Sequence, residues 1–381
     1  MSMRFIYIIR FLLYNLIIIE RERMSRSFMK ITLIGEPRIV MSNPDGKHKY
    51  FGWPTAARLK NGKIAVVASG FRLGHVCPFG KTVISYSEDE GQTFTKPCPV
   101  IDTPLDDRDG GILAYGKSNV IVTSFNNTRE FQRKSTDNPY CLSYLDTISD
   151  EDEEKYLGAS YRISCDFGVN FGETRKCPVT IPHGPLEMPD GSLMFIGRPY
   201  NHREVKDCIK AYKLLDNGEF EFVGEIEDIY NSKGEKATSC EPHSILLNDG
   251  KILTQIRVQL AGYFTIFQSE SDDGGKTWSK PRQLLSDFGG APPHLMRHSS
   301  GRLISSYCLR EAPFVVRVMI SEDEGKTWDI DHDIYVNRVS PDMGYPSTVE
   351  LKDKSLLTVF YAIPKEGEKA IVMSQQWKFE D

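Results

Sequence analysis

Ser321-Glu322-Asp323-Glu324-Gly325-Lys326-Thr327-Trp328 is one of three near-copies of one unit; the others are Ser87-Glu88-Asp89-Glu90-Gly91-Gln92-Thr93-Phe94 and Ser271-Asp272-Asp273-Gly274-Gly275-Lys276-Thr277-Trp278. The shared pattern is S-x-D-x-G-x-T-[W/F], and Ser164-Cys165-Asp166-Phe167-Gly168-Val169-Asn170-Phe171 keeps its Ser, Asp, Gly and aromatic. Ser and Asp side chains at this spacing cap backbone N–H groups in a tight turn, Gly allows φ > 0, and the aromatic packs the turn against a sheet. The unit is a hairpin staple, not a catalytic site.

A second period runs beside the first. Short apolar strands follow turn signals at Asn61-Gly62, Gly116 to Asn119, Asp190-Gly191, Asp249-Gly250, Ser300-Gly301 and Asp353-Lys354, each reading as strand, turn, strand. These six hairpins recur at roughly 50 to 75 residues, the scale of a four-stranded blade with variable loops. The expectation is an all-β chain, a six-bladed β-propeller of four-stranded antiparallel blades, as one domain over residues 30–381. Helical periodicity is scarce, and the acidic stretch Asp146 to Tyr156 reads as a solvated loop or short helical insert.

Composition agrees with a globular chain. Its 381 residues are 40% hydrophobic, enough for a large core. A net charge of −5, with no basic run interleaved with aromatics, argues against nucleic acid as a partner. Eight scattered cysteines without a CxxC pair suit a reducing compartment and give no metal-binding spacing; Cys240-x-x-His243 has no second pair. Residues 1–29 form an apolar extension. Phe5 to Ile19 is shorter than the roughly 20 residues of a membrane span and contains Arg10 and Asn15, so a cytoplasmic protein with an over-extended start is expected. Membrane attachment follows only if residues 5–19 are a real anchor.

The S-x-D-x-G-x-T-W turns resemble the Asp-boxes of the sialidase (neuraminidase) superfamily, from about residue 35 onward. The resemblance implies a six-bladed propeller and, less specifically, a glycosidase; nothing in the sequence demands a metal or organic cofactor. The resemblance also implies site residues. Tyr345, in Gly344-Tyr345-Pro346-Ser347, matches the family's nucleophile, and Glu241, which leads through Asp249-Gly250 to Arg257, matches its Glu partner and one Arg. A further Arg lies before a late Asp-box, where Arg310 or Arg317 fits. The chemistry is coherent: a sugar carrying a carboxylate on its anomeric carbon repels a carboxylate nucleophile, so a phenol polarised by Glu replaces it, and arginines hold the substrate carboxylate.

Two positions depart from the family. Phe51-Gly52-Trp53-Pro54 has Gly where the family's first Arg sits, and Phe71-Arg72-Leu73-Gly74-His75 has no carboxylate where its acid Asp sits, with His75 in that region and Arg72 beside it as a substrate-binding candidate. Asp107 or Asp109, in Asp106-Asp107-Arg108-Asp109, could supply the acid from the next blade if its pKa is raised. His183, His243, His294 and Glu187 lie in comparable loops, where a polyhydroxylated ligand could be contacted. The leading expectation is a retaining exo-glycosidase on an acidic sugar, most simply an exo-α-sialidase. A uronate lyase and a non-catalytic glycan-binding propeller are the alternatives.

Overall fold

The computed structural model describes residues 29–201, 204–205, 208–260, 262–285 and 292–380. The apolar stretch 5–19 lies outside them. Six antiparallel sheets follow one another in chain order. Blade 1 comprises Tyr50–Arg58, Ile64–Arg72, Lys81–Ser87 and Cys98–Ile101, and blade 2 Arg108–Tyr115, Asn119–Phe125, Ala159–Ser164 and Arg175–Lys176. Blade 4 (Thr238–Leu246, Ile252–Leu260, Tyr263–Ser271, Arg282–Gln283) and blade 5 (His294–Arg297, Leu303–Leu309, Phe314–Ser321, Asp329–Asn337) repeat the plan. Blade 3 breaks its inner strand into Val179–Thr180 and Leu186–Glu187 around Gly184; both pair with Leu193–Asn201, which is followed outward by Ile209–Leu214 and Phe220–Ile226.

Blade 6 closes the ring. Its strands Gly344–Glu350, Leu356–Ala362 and Ile371–Phe379 are completed by Ile31–Met41 from the other end of the chain, paired from Ile31↔Phe379 to Met41↔Val372. Joining the two chain ends in one sheet removes the edges that an open array would expose. Between blades the core is aliphatic. Val66 and Ala68 of blade 1, for example, share a cluster with Leu357 and Val359 of blade 6, all with 0% exposure. Burial of such Val and Leu side chains is worth about 1.5–3 kcal/mol each.

The six turn signals each join an inner strand to its neighbour. Gly62, Gly116, Gly191, Gly250 and Gly301 all have positive φ, and Lys354 takes the same left-handed conformation (φ +69°) in blade 6. The Asp-boxes sit one turn further out, after the third strand of blades 1, 2, 4 and 5. In each, the Ser hydroxyl accepts the Gly N–H at 2.8–2.9 Å and the Asp carboxylate accepts the backbone N–H of the Thr or Asn at 2.8–2.9 Å. The weak copy at Ser164 therefore makes the full set of bonds, Asn170 replacing Thr.

Blade 2 carries an excursion between Phe125 and Ala159 with three short helices, Arg129–Lys134, Pro139–Leu145 and Asp150–Tyr156. Thr128, Asn138 and Ser149 cap them, each accepting a backbone N–H from the first turn. The acidic stretch thus ends in a helix, and it is anchored rather than loose because Arg129 donates to the buried Glu153 at 2.8 Å. All eight cysteines are free, and among the described residues no helix is long and apolar enough to cross a membrane.

Ser321 is 2% exposed and Gly325 is buried, so Ser321→Ala leaves that glycine N–H without its acceptor. The expected loss is about 1–3 kcal/mol, read from the urea midpoint. Backbone hydrogen bonds from Asn170 and Thr277 hold Asp166 and Asp273 at about 2, below an ordinary carboxylate. The boxes' contribution is therefore present above about pH 4 and lost as pH falls toward 2. A stability profile that is flat over that interval would contradict it.

Candidate active site

Four inner strands share one irregularity. The pairing register slips between Gly52 and Thr55, between Arg108 and Gly111, between Cys240 and His243, and between Gly344 and Ser347. At each slip a non-glycine residue takes a left-handed conformation: Trp53 (φ +54°), Asp109 (+52°), Glu241 (+47°) and Tyr345 (+49°). Such conformations cost roughly 1–3 kcal/mol apiece and persist only where their surroundings hold them. A bulge re-aims a side chain. All four of these line a single cavity of about 460 Å³, within the range of small-molecule sites.

Tyr345 and Glu241 meet in it. The Tyr345 hydroxyl donates to Glu241 Oε1 at 2.6 Å, while Arg257 Nη1 donates to Glu241 Oε2 at 2.6 Å and to Tyr345 Oη at 3.3 Å. The hairpin explains how residues 16 apart come together: with the turn at Asp249-Gly250, Arg257 pairs across from Cys240, beside Glu241. Arg310 follows the second strand of blade 5. Its Nε donates to the Met343 carbonyl at 2.9 Å, and its guanidinium lies 5.7 Å from the centroid of the Tyr345 ring. Burial alone would raise Glu241, but Arg257 and the Tyr345 hydrogen bond outweigh it and hold the carboxyl below its usual range. Burial, with Asp109 and Glu241 nearby, pushes the Tyr345 phenol well above 10. The resting pair is therefore a neutral phenol donating to a carboxylate.

A third arginine enters from blade 2. Arg108 lies over the Trp53 ring at 4.4 Å, with Asp106 at 3.7 Å and Asp109 at 3.6 Å. Asp109 Oδ1 is buried without a hydrogen-bond partner. Burial, aided by Glu241 and opposed by Arg108, raises Asp109 to about 6. With Arg198 also in the wall, four arginines face the two carboxylates Asp109 and Glu241. The lining is net positive and suits an anion.

His75 stands on the rim, its side chain 49% exposed. Its Nδ1 lies 3.1 Å from Asp342 Oδ1, and Asp342 also accepts from Tyr50 at 3.0 Å and from Tyr361 at 3.1 Å. The Trp53 ring contacts both His75, at 4.9 Å between centroids, and Tyr345, at 6.4 Å.

Other candidates are placed elsewhere. Of the two arginines before the late Asp-box, Arg310 lines the cavity, whereas Arg317 is tied to Asp333 at 2.6 Å and Asp331 at 2.9 Å on the outer side of blade 5. Asp107, pushed up to about 7 by burial, is enclosed by Thr103 and Asn126 and does not reach the cavity. Arg72 is fully buried beneath Trp53, paired with Asp106 at 2.6 Å, so it supports the wall instead of facing ligand. Glu187 accepts the Gly116 N–H at 2.9 Å, outside the cavity lining.

His243 and His294 stack at 4.6 Å and, with His183 at 5.5 and 5.2 Å, form a trio outside the cavity lining. Nδ1 of His243 accepts the Leu295 N–H and Nδ1 of His294 the Thr348 N–H, so both rings carry their proton on Nε2 and cannot use it to hold a metal. Burial keeps all three neutral: His243 falls to about 3, and His183 and His294 well below 6.5. Sequence reading overlooked Asp342, Arg198 and the cavity-facing role of Arg108. A usable signal was present, since Trp53-Pro54, Glu241-Pro242 and Tyr345-Pro346 repeat one bulged dipeptide in three blades.

Fold and site together define a six-bladed propeller of the sialidase-like kind. Residues 148–359 match the BNR repeat-like domain family, and the chain belongs to it. Among solved structures it is similar to a protein of unknown function from Dyadobacter fermentans (TM-score 0.72, 17% identity, covering 92% of this chain and 99% of that one). It is also similar to the intramolecular trans-sialidase of Ruminococcus gnavus (0.60, 14%, 87% and 95%) and the α-L-arabinofuranosidase Arb93A of Fusarium graminearum (0.59, 13%, 90% and 97%). At these identities the likeness is one of fold. A search of curated protein sequences gave no match.

Asp109 is protonated below about pH 6 and ionised above it, where it cancels part of the positive lining. Affinity for a small carboxylate ligand is expected to fall as pH rises through 6, and Asp109→Asn should remove most of that fall. Calorimetric titration at pH 5 and 7.5 checks it; equal slopes in wild type and variant would contradict the assignment.

Proposed function

We propose that this propeller is a retaining exo-glycosidase acting on an acidic sugar, most simply an exo-α-sialidase. The observation that carries the reading is the 2.6 Å bond between a buried phenol and a carboxylate in a pocket with surplus arginine. In the proposed reaction Tyr345 Oη attacks the anomeric carbon while Glu241 takes its proton, the glycosidic C–O bond breaks and the aglycone departs as its alcohol with a proton from an acid at the pocket mouth; water then displaces Tyr345, which regains its proton from Glu241. Removing that proton is what Glu241 supplies, because a phenol held well above 10 is a poor nucleophile while protonated. Arg257 offsets charge on Glu241 and Tyr345, and Arg310 and Arg108 are the groups positioned to meet a substrate carboxylate. The sialidases and the arabinofuranosidase of the same fold support a glycosidase reading.

One feature favours a second reading. His75 on the rim, beside an arginine-lined cavity, suits proton abstraction next to a uronate carboxylate, as in a lyase. Incubation with aryl α-sialosides and aryl uronides, with products analysed by mass, separates the two: hydrolysis adds water, whereas elimination leaves an unsaturated uronate absorbing in the ultraviolet. Release of free sialic acid is the expected result, with Tyr345→Phe slower by about 10³-fold or more. Undiminished turnover by Tyr345→Phe would remove the nucleophile from the scheme.

A further inference from the structure

We propose that His75, oriented by Asp342, is the proton donor and acceptor at the leaving-group side of this site, and that Gly52 makes room for the pair. The inference rests on the hydrolase reading above. A leaving group departs through the mouth of an exo-acting pocket, so its proton must come from there. Asp109 is 4% exposed and lies beside Arg108, within electrostatic reach of Glu241 and Tyr345. Its neighbours are thus the phenol and carboxylate assigned to nucleophilic attack, not the mouth of the pocket. His75 is half exposed on the rim and is separated from Tyr345 by the Trp53 ring.

The supporting groups fix the ring. Asp342 binds Nδ1, which leaves Nε2 as the nitrogen available to the pocket. Tyr50 is held well above 10 by burial, with Tyr361 and Asp342 adding to it, so its hydroxyl stays a donor to Asp342. Tyr361 donates to the same carboxylate and accepts from Arg310 at 3.1 Å. A Cβ at position 52 would stand 3.3 Å from the Tyr50 ring and 3.4 Å from that of Tyr361. A larger residue would crowd the two rings that carry Asp342. Gly52 thus leaves room for the two rings whose hydroxyls hold Asp342 against His75.

Protons balance in both steps. Protonated His75 gives its Nε2 proton to the glycosidic oxygen as the C–O bond breaks, while Tyr345 bonds the anomeric carbon and its own proton passes to Glu241. Neutral His75 then takes a proton from the attacking water, and Tyr345 leaves as phenol with the proton returned by Glu241. The groups facing His75 are Asp342 and Tyr50, with Arg72 donating to its backbone carbonyl from below and Arg108 across Trp53. Among them Asp342 is the anion in direct contact. Burial opposes its ionisation, but the bonds from His75, Tyr50 and Tyr361 hold it below the usual range.

The test compares methyl and 4-nitrophenyl α-sialosides, and the same two aglycones on a uronide, with the full-length protein. His75→Ala is expected to lose about 10²-fold or more in kcat/KM on the methyl glycoside and under about tenfold on the 4-nitrophenyl one, whose departure needs no proton. Asp342→Asn, a positioning change, should lower kcat on the methyl glycoside with KM little changed and leave the 4-nitrophenyl glycoside nearly unaffected, because the ring is no longer held with Nε2 toward the leaving group. Equal loss on both aglycones, or selective loss in Asp109→Asn instead, overturns the assignment. Turnover of uronides but not sialosides overturns the sialidase reading and leaves the pair to be judged on the uronides. A wild-type protein inert on all four overturns both.

Discussion

Everything at this site depends on a backbone that leaves its strand for one residue. A propeller's inner strands run past the central space with side chains alternating toward neighbouring blades, so an ordinary strand presents little to a ligand above it. The left-handed bulges at Trp53, Asp109, Glu241 and Tyr345 break that alternation at one level in four blades. The strain is local and the scaffold that resists it is large, since the flanking strands continue into buried hairpins. Loss of the bulge would return Tyr345 or Glu241 to the inter-blade packing and dissolve a contact whose partners lie 104 residues apart.

The parts of the fold legible in the sequence were those with a strict local cause. A Ser–Asp–Gly turn requires its residue types at fixed spacing, and a hairpin with a left-handed turn residue marks itself with Gly or Asn-Gly. Both signals repeat, which is why the blade count could be read. The arrangement of the candidate site was legible where resemblance matched residue for residue, as at Tyr345, Glu241 and Arg257, which the structure brings into one hydrogen-bonded group. It was illegible where contacts pass between blades. Asp342 has no motif of its own; Tyr50 from blade 1 and Tyr361 from blade 6 converge on it. Arg310 and Arg317 were likewise inseparable by spacing, because register, and not distance along the chain, decides which end of a blade an arginine reaches.

Electrostatics tie these pieces together. Isolated buried guanidinium groups would be costly, and each here has a counter-group: Arg257 has Glu241, Arg108 has Asp106 and Asp109, and Arg310 is held by a carbonyl and a phenol. Arg310 is the least neutralised of these three. Its two named partners are dipoles, so a substrate carboxylate arriving there would meet a full charge in a largely desolvated wall.

That distribution also bears on why a phenol, and not a second carboxylate, occupies the bulge in blade 6. A carboxylate at 345 would stand against ionised Glu241, and either it or Glu241 would take up a proton. The pocket's positive surplus over an anionic ligand would shrink accordingly. A neutral hydroxyl preserves that surplus in the resting state and would become anionic in character only as its proton moves to Glu241 across the 2.6 Å contact between the two oxygens. In the proposed reaction charge would thus be redistributed within the Tyr345–Glu241–Arg257 group during bond formation without adding an anion to the cavity, the condition under which an anionic substrate could be both bound by arginine and attacked from the same wall.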